Sequence, residues 1–221
     1  MEKQPETAAF ASLSLGEFVE QLSSAEPVPG GGAASAIAAA LGAALVSMVA
    51  GLSTGKPKYE AYEETLARAD AAGRKLAEEL LAIANRDAEA YAGYAAALKL
   101  PRDTDAQIET RRAAIREAAR AASDAPWVCV QACARLAESA EALAGRSNVN
   151  ASSDVLVAAL LAEAAARGAA ENVRINLAAT GDEEYSRVMS QLVDETLHDI
   201  SALASRTREA VLSGRARDPE S

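Results

Sequence analysis

The sequence predicts an all-α protein, an up-and-down antiparallel helical bundle of about five long helices plus a short N-terminal helix. Three observations carry that prediction. Apolar residues recur at three- and four-residue spacing over long stretches, Pro and Gly clusters punctuate them, and no alternating strand pattern of useful length intervenes. With 221 residues, half apolar and only 4% aromatic, the chain can form a single domain, 1–221, whose core is aliphatic and alanine-rich.

Each element has its own signal. Ser14 to Glu17 forms a capping box ahead of Phe18, Val19 and Leu22, so a short first helix ends before Pro27. The second helix follows Pro29-Gly30-Gly31-Gly32 and lies in a stretch without any charged side chain between Glu26 and Lys56. Such a stretch is long enough to span a bilayer. Most of its residues are Ala, Gly and Ser, however, which gain little from lipid, and no aromatic or basic anchor flanks it closely. Ile37, Leu41, Leu45, Met48 and Leu52 recur at helical spacing, and the reading is a soluble helix buried on all sides. Residues 53–57 break the chain before a third helix over about 58–98, stopped by Pro101. There Tyr59, Leu66, Gly73, Leu80, Asp87 and Tyr94 repeat every seven residues, interleaved with Tyr62, Ala69, Leu76, Ile83 and Ala90, as a bundle seam requires. Thr104 to Gln107 caps a fourth helix that reaches about 144, with Pro126 expected to kink or divide it. After a polar loop over 145–153, helices are expected over 154–180 and 182–213. Flexible tails are expected at 1–11 and 214–221.

Composition narrows the function classes. A net charge of −10 argues against nucleic acid and anionic membranes as main partners. Residues 1–9 lack the basic-then-apolar order of a secretory signal, so a cytoplasmic location is expected. Cys129 and Cys133, four apart on a helix, read as reduced core thiols rather than a disulfide. Zinc would need further ligands, and the chain has one histidine and no second cysteine pair. Glu195-Thr-Leu-His198 matches the ligand pair of di-iron bundles, but such a site needs two of these units and one is present, unless a second subunit supplies the other. The reading is a surface Glu and a partly buried His, with no metal. The glycine spacing is that of neither a dinucleotide fingerprint nor a P-loop.

Several polar residues stand where packing would prefer aliphatics. Gly30, Gly31 and Gly32 let the backbone approach a ligand or another helix, and free N–H groups at the helix start can receive a polar or anionic group. Asp87 lies in the seam of the third helix, one heptad from Leu80 and Tyr94. Burying it costs several kcal/mol unless it is paired or protonated, so it is either matched to an Arg or a helix end, or a functional carboxylate. Asp154, Val157, Leu161, Ala165, Gly168 and Asn172 form one stripe on the fifth helix, with Asn176 a turn beyond. Asn148 and Asn150, with Ser152 and Ser153, are natural caps for that helix, and the helix dipole alone favours Asp154 in its first turn.

Taken in order, these marks resemble the formiminotetrahydrofolate cyclodeaminase and methenyltetrahydrofolate cyclohydrolase family over most of the chain. They are Ser14-Leu-Gly-Glu-Phe-Val19, Pro29-Gly-Gly-Gly32 with the Ala-rich helix through Gly42-Ala-Ala-Leu45 and Ser47-Met-Val49, and Gly55-Lys56-Pro-Lys58-Tyr59. Asp87-Ala88 with Tyr91, Leu100-Pro101, Asn148-Val-Asn150 with Ser153-Asp154, and Asn172-Val with Ile175-Asn176 complete the set. Ala33 stands where the family often has Ser, and Ser147 where Gly is usual.

The resemblance implies a helical homodimer acting on a bridged tetrahydrofolate, with no metal, nucleotide or cofactor beyond the folate substrate. Water attack on the methenyl cation gives a tetrahedral carbon bearing N5, N10 and OH. Cyclodeaminase chemistry differs by one heteroatom, NH2 in place of OH. Both need a carboxylate for the amidinium-like cation and a group to move protons, and Asp154 and Asp87 are the candidates. Lys56 and Lys58 are candidates for the folate glutamate tail, and Gly30, Gly31, Gly32, Asn148, Asn150, Asn172 and Asn176 for binding the remainder. Alternating helix direction places the glycines, Asp87, Asn172 and Asn176 toward one end and Lys56, Lys58, Asn148 and Asp154 at the other. Asp154 and Asn172 are separated by about 27 Å of helix. An antiparallel dimer is therefore expected to bring the two ends together. Cyclohydrolase is favoured over cyclodeaminase because a transferase domain is not evident in the chain. A non-catalytic helical oligomerisation module is the alternative of another class, and it gives no reason for Asp87, Asn172 and Asn176 on packed faces.

Overall fold

Local caps set the helix starts in the computed structural model, which describes residues 10–219. The Ser14 hydroxyl accepts the Glu17 N–H at 3.2 Å and the Glu17 carboxylate accepts the Ser14 N–H at 2.7 Å, starting α1 (Leu15–Leu22). Thr104 and Gln107 make the same reciprocal pair at the start of α4 (Asp105–Leu143). Asp182 accepts the Tyr185 N–H at 3.0 Å to begin α6 (Glu183–Ser213). Between them lie α2 (Gly31–Gly51), α3 (Glu63–Leu98) and α5 (Ser152–Thr180), and no strand occurs among the described residues. The third helix starts later than expected, because Pro57–Tyr62 winds as a tight 3-10 turn.

The five long helices run alternately up and down. α2 lies between α3 and α5, antiparallel to both. Gly32 meets Asp87 and Ala43 meets Gly73 on one side, while Gly31 meets Asn172 and Gly42 meets Ala158 on the other. The approach of α2 to α3 is close because Gly73 has no side chain: a Cβ there would lie 2.7 Å from the Ala43 carbonyl oxygen and 2.9 Å from the Ser47 nitrogen. The expected seam is buried from Leu66 through Ile83. Cys129 and Cys133 are free and buried. The Cys133 thiol is held above its usual range, first by its hydrogen bond with Cys129 and then by burial.

Five further expectations are corrected. First, α2 is not buried on all sides: Leu41 (56%), Met48 and Leu52 are exposed along its outer edge. α2 and the segment Val149–Thr180 are long and apolar enough to cross a membrane, but half of the most apolar window of α2 is buried inside the chain. Second, of the α5 stripe Asp154, Val157, Leu161, Ala165, Gly168 and Asn172 only Ala165 is buried, and the others mark the margin of the packed face. Core contacts come from Val155, Ala158, Ala162, Ala169 and Val173, while Val157 and Leu160 (51%) are exposed. Third, His198 is exposed rather than partly buried, while Glu195 is exposed as expected and accepts from Gln191. Fourth, the ends are anchored. The Phe10 N–H donates to the Asn85 side chain at 2.9 Å, with its ring edge-on to Phe18, whereas residues 1–9 of the expected N-terminal tail lie outside the described residues. Residues 215–218 cross the end of α4. The Arg217 N–H donates to the Gly145 carbonyl at 3.0 Å, the Tyr62 hydroxyl to the Arg217 carbonyl at 2.8 Å, and Arg146 Nε to the Asp218 carbonyl at 2.9 Å.

Fifth, of the kink or division expected at Pro126, division does not occur, and α4 continues as one helix. Proline has no N–H to offer the carbonyl four residues back. The Asn176 side chain, reaching from α5, donates to that carbonyl of Ala122 at 2.7 Å instead. Asn176→Ala leaves the carbonyl without this partner, an expected loss of about 1–3 kcal/mol. Thermal unfolding of the variant should show a midpoint lower by several degrees, roughly 2–4 °C per kcal/mol.

Candidate functional site

At one end of the bundle the start of α2 meets α3 and α5. Gly30 is the N-cap of α2 and has no side chain to bond the first turn. α3 provides the missing acceptor, since the Asp87 carboxylate receives a hydrogen bond from the Ala33 N–H. Its oxygens rest directly on Gly32, so close that a Cβ on Gly32 would lie well inside van der Waals contact of both. The carboxylate therefore occupies the positive end of a helix and accepts a backbone proton donor. Partial burial, the larger influence, pushes the Asp87 carboxyl above the ordinary aspartate range, and the Ala33 hydrogen bond draws it partly back.

Asn172 completes this cluster. Its Nδ2 donates to the Gly168 carbonyl at 2.9 Å, and a Cβ on Gly31 would stand 3.6 Å from it. Asn176, one turn further, has its amide N–H committed to α4. The sequence thus grouped Gly31, Gly32, Asp87 and Asn172 correctly in space, and Asn176 bridges two helices nearby.

The opposite end holds Lys56, Lys58, Asn148, Asn150 and Asp154. Here two loops are tied together. Buried Ser53 donates its hydroxyl to the Val49 carbonyl and accepts the Asn148 N–H at 2.8 Å, while the Asn148 amide reaches the Leu52 carbonyl at 3.4 Å and caps Asn150 at 3.1 Å. The Tyr59 hydroxyl accepts the Val149 N–H at 3.2 Å. Asn148 is therefore a loop organiser, and Asn150 stands exposed beside it. Lys56 and Lys58 are exposed, with the Lys58 ammonium 5.5 Å from the centre of the Tyr59 ring. Asp154 is half-buried in the first turn of α5. Among the described residues none of Lys56, Lys58 and Asp154 forms an ion pair. α2, at 21 residues, separates the two ends by about 30 Å. One chain does not bring Asp87 and Asp154 together.

Sequence reasoning passed over Ser53 and the roles of Tyr59 and Tyr62. The two tyrosines stood in the seam repeat, where they read as packing, and their hydroxyls bind backbone groups far away in sequence.

Fold and site define a helical bundle with a carboxylate seated on a glycine-rich helix start and a basic, amide-bearing opposite end. The formiminotransferase-cyclodeaminase family model matches residues 14–195, and the chain belongs to that family. A methenyltetrahydrofolate cyclohydrolase of Methylorubrum extorquens is 37% identical over 196 residues, which cover 89% of this chain and 94% of that protein. A formimidoyltransferase-cyclodeaminase of Gallus gallus is 33% identical over 194 residues, covering 88% of this chain but only 36% of that longer protein. The crystal structure of formiminotetrahydrofolate cyclodeaminase from Thermotoga maritima superposes with a TM-score of 0.83 at 28% identity, covering 92% of this chain and 98% of that one.

The Asp87 seat depends on a missing side chain. Gly32→Ala should displace the carboxylate from the α2 start and destabilise the fold by about 1–3 kcal/mol, read as an earlier midpoint in urea unfolding. Gly51→Ala, at a position where a Cβ meets nothing within 4 Å, should leave the midpoint unchanged or raised.

Proposed function

We propose that this chain is a methenyltetrahydrofolate cyclohydrolase, converting 5,10-methenyltetrahydrofolate to 10-formyltetrahydrofolate. One observation carries the choice: the 37% identity to a cyclohydrolase extends over nearly the whole of both chains. The likeness to the Thermotoga maritima cyclodeaminase supports, as the second reading, ammonia release from 5-formiminotetrahydrofolate.

The chemistry suits a partly desolvated carboxylate. Water attacks the cationic bridge carbon and gives up one proton, leaving a tetrahedral carbon bearing N5, N10 and OH. The C–N5 bond then breaks with its electron pair going to N5, which takes a proton. The O–H proton is lost as the formyl C=O forms, so one proton is released overall. Asp87 attracts the cation before attack and, with its affinity for protons raised, accepts one from water more readily than an ordinary aspartate would. The Asn172 amide oxygen and the N–H groups of the α2 start offer an acceptor and donors to the pterin. Lys56 and Lys58 at the other end suit the glutamate carboxylates.

These two ends meet if the working unit is an antiparallel homodimer. The outer edges of α2 and α5 together present Leu41, Met48, Leu52, Val157 and Leu160 to solvent. Exposed apolar residues on two neighbouring helices suit an interaction surface. A second copy related by a two-fold axis across it would set the glycine end of one subunit beside the lysine end of its partner.

Two measurements test the reading. Methenyl and formimino substrates assayed side by side should show turnover of the former in excess, with preferential turnover of the latter selecting the cyclodeaminase and turnover of neither sinking the folate assignment. Asp87→Asn should lower kcat by about 10²–10⁴-fold. The wild-type rate should fall with acid at a pH above the ordinary aspartate range, because the raised group must be ionised to act as a base, and this limb should vanish in the variant. The sign for stability is opposite. A raised carboxyl contributes stability below the ordinary aspartate pKa and loses that contribution as pH rises through its own, so Asp87→Asn should unfold at neutral pH within about 1 kcal/mol of wild type. For the dimer, Leu160→Glu should give a folded monomer by light scattering with activity lost; an active monomer would refute the shared site.

A further inference from the structure

The C-terminal segment is held down more firmly than a chain end requires. Ordering its backbone costs conformational entropy. Three arrangements oppose that cost. Gly145, at φ 76°, lets the segment approach so closely that a Cβ would stand 2.9 Å from the Arg215 carbonyl oxygen. Arg217 bonds the Glu141 carboxylate at 3.0 Å and the Glu141 carbonyl at 3.1 Å. Arg146, a residue only 4% exposed, donates through its guanidinium to the Asp218 carbonyl, and desolvation, the leading cause, lowers its proton affinity.

What the segment encloses is a cavity of about 190 Å³ between the 3-10 turn, the loop before α5 and the end of α6. Lys58, Tyr59, Ser147, Ser152 and Arg215 line it together with the apolar Val155 and Val211. Ser152 and Val155 flank Asp154, so the cavity adjoins the lysine end described above. Among the described residues neither Lys58 nor Arg215 has a carboxylate partner, although Glu141 nearby accepts both Arg206 and Arg217. Two unmatched cations with hydroxyls and an apolar wall fit a carboxylate on a short aliphatic stem. The volume is below the 300–1,000 Å³ typical of sites for whole drug-sized ligands, so one end of a folate fits and the whole molecule does not.

We infer that the cavity under the C-terminal segment binds the glutamyl end of the substrate, its carboxylate held between Lys58 and Arg215. This rests on the folate reading and deepens it, making residues 214–217 a binding element beyond the region matched by the family model.

The test requires no turnover. Calorimetric titration with p-aminobenzoyl-L-glutamate should show binding to the wild-type chain, weakened about tenfold or more in Arg215→Gln and in Lys58→Gln. p-Aminobenzoate, which lacks the glutamyl group, should bind wild type no better than it binds the variants. Near-UV dichroism and the thermal midpoint check that both variants are folded. Arg217→Ala, which releases the segment but leaves both cations in place, should weaken binding in the same direction. No binding to wild type, equal binding to wild type and both charge variants, or displacement by an equal concentration of inorganic phosphate would each overturn the assignment. Loss of p-aminobenzoylglutamate binding in the variants of a chain that turns over neither folate would leave the inference standing and the cyclohydrolase reading fallen. Turnover of methenyltetrahydrofolate with unaltered p-aminobenzoylglutamate binding would do the reverse.

Discussion

The Asp87 carboxylate fills the space that a side chain on Gly32 would take, and it bonds the first turn of a helix that has no capping side chain of its own. This contact sets the register of α2 against α3. One end of the pair is fixed there, and Gly73, pressed against Ala43 and Ser47, fixes the middle. Below it, the Ser47 hydroxyl donates to Asp70 in a short hydrogen bond, and Asp70 is paired with Arg74, so its carboxyl is held below the usual range. α2 is thus bound along its length by contacts that only small residues allow. An alanine-rich helix loses little side-chain entropy on packing, and its narrow profile brings neighbouring backbones close.

In the proposed mechanism the same contact is the chemical centre. A carboxylate at a helix N-terminus is electrostatically favoured, yet partial burial keeps its proton affinity high. Those opposing influences, with burial the larger, leave a carboxyl whose affinity for protons is above that of a solvated aspartate. In the proposed dimer the length of α2 spaces this centre from the basic end of the same chain. The exposed apolar edges of α2 and α5 are then the means by which the two ends of different subunits meet.

The polar residues on packed faces show how far a sequence can be read. Asp87 was legible as an anomaly, because a heptad repeat predicts an aliphatic there, but both a helix end and a functional role were open. The structure supplies the helix end, through Ala33 some fifty residues away. Asn148, expected at a helix cap, and Asn172 and Asn176, expected on a packed face, take three different roles in space. Asn172 lies beside Gly31, Asn148 ties two loops together, and Asn176 supplies the donor that Pro126 removed from α4. A proline and an asparagine fifty residues apart carry no mark that they belong together.

What the chain determined by itself was its helices, their caps, the breaks between them, the α3 seam and the family to which the whole belongs. These signals act over three to seven residues, the range of a capping bond or a heptad, and so are written in short stretches. Tertiary structure decided which face of α2 is left exposed, how α4 survives Pro126 and why residues 215–218 are held rather than frayed. Each of those depends on a donor, an acceptor or a missing Cβ brought from a distant part of the chain, and only packing determines which distant groups become neighbours.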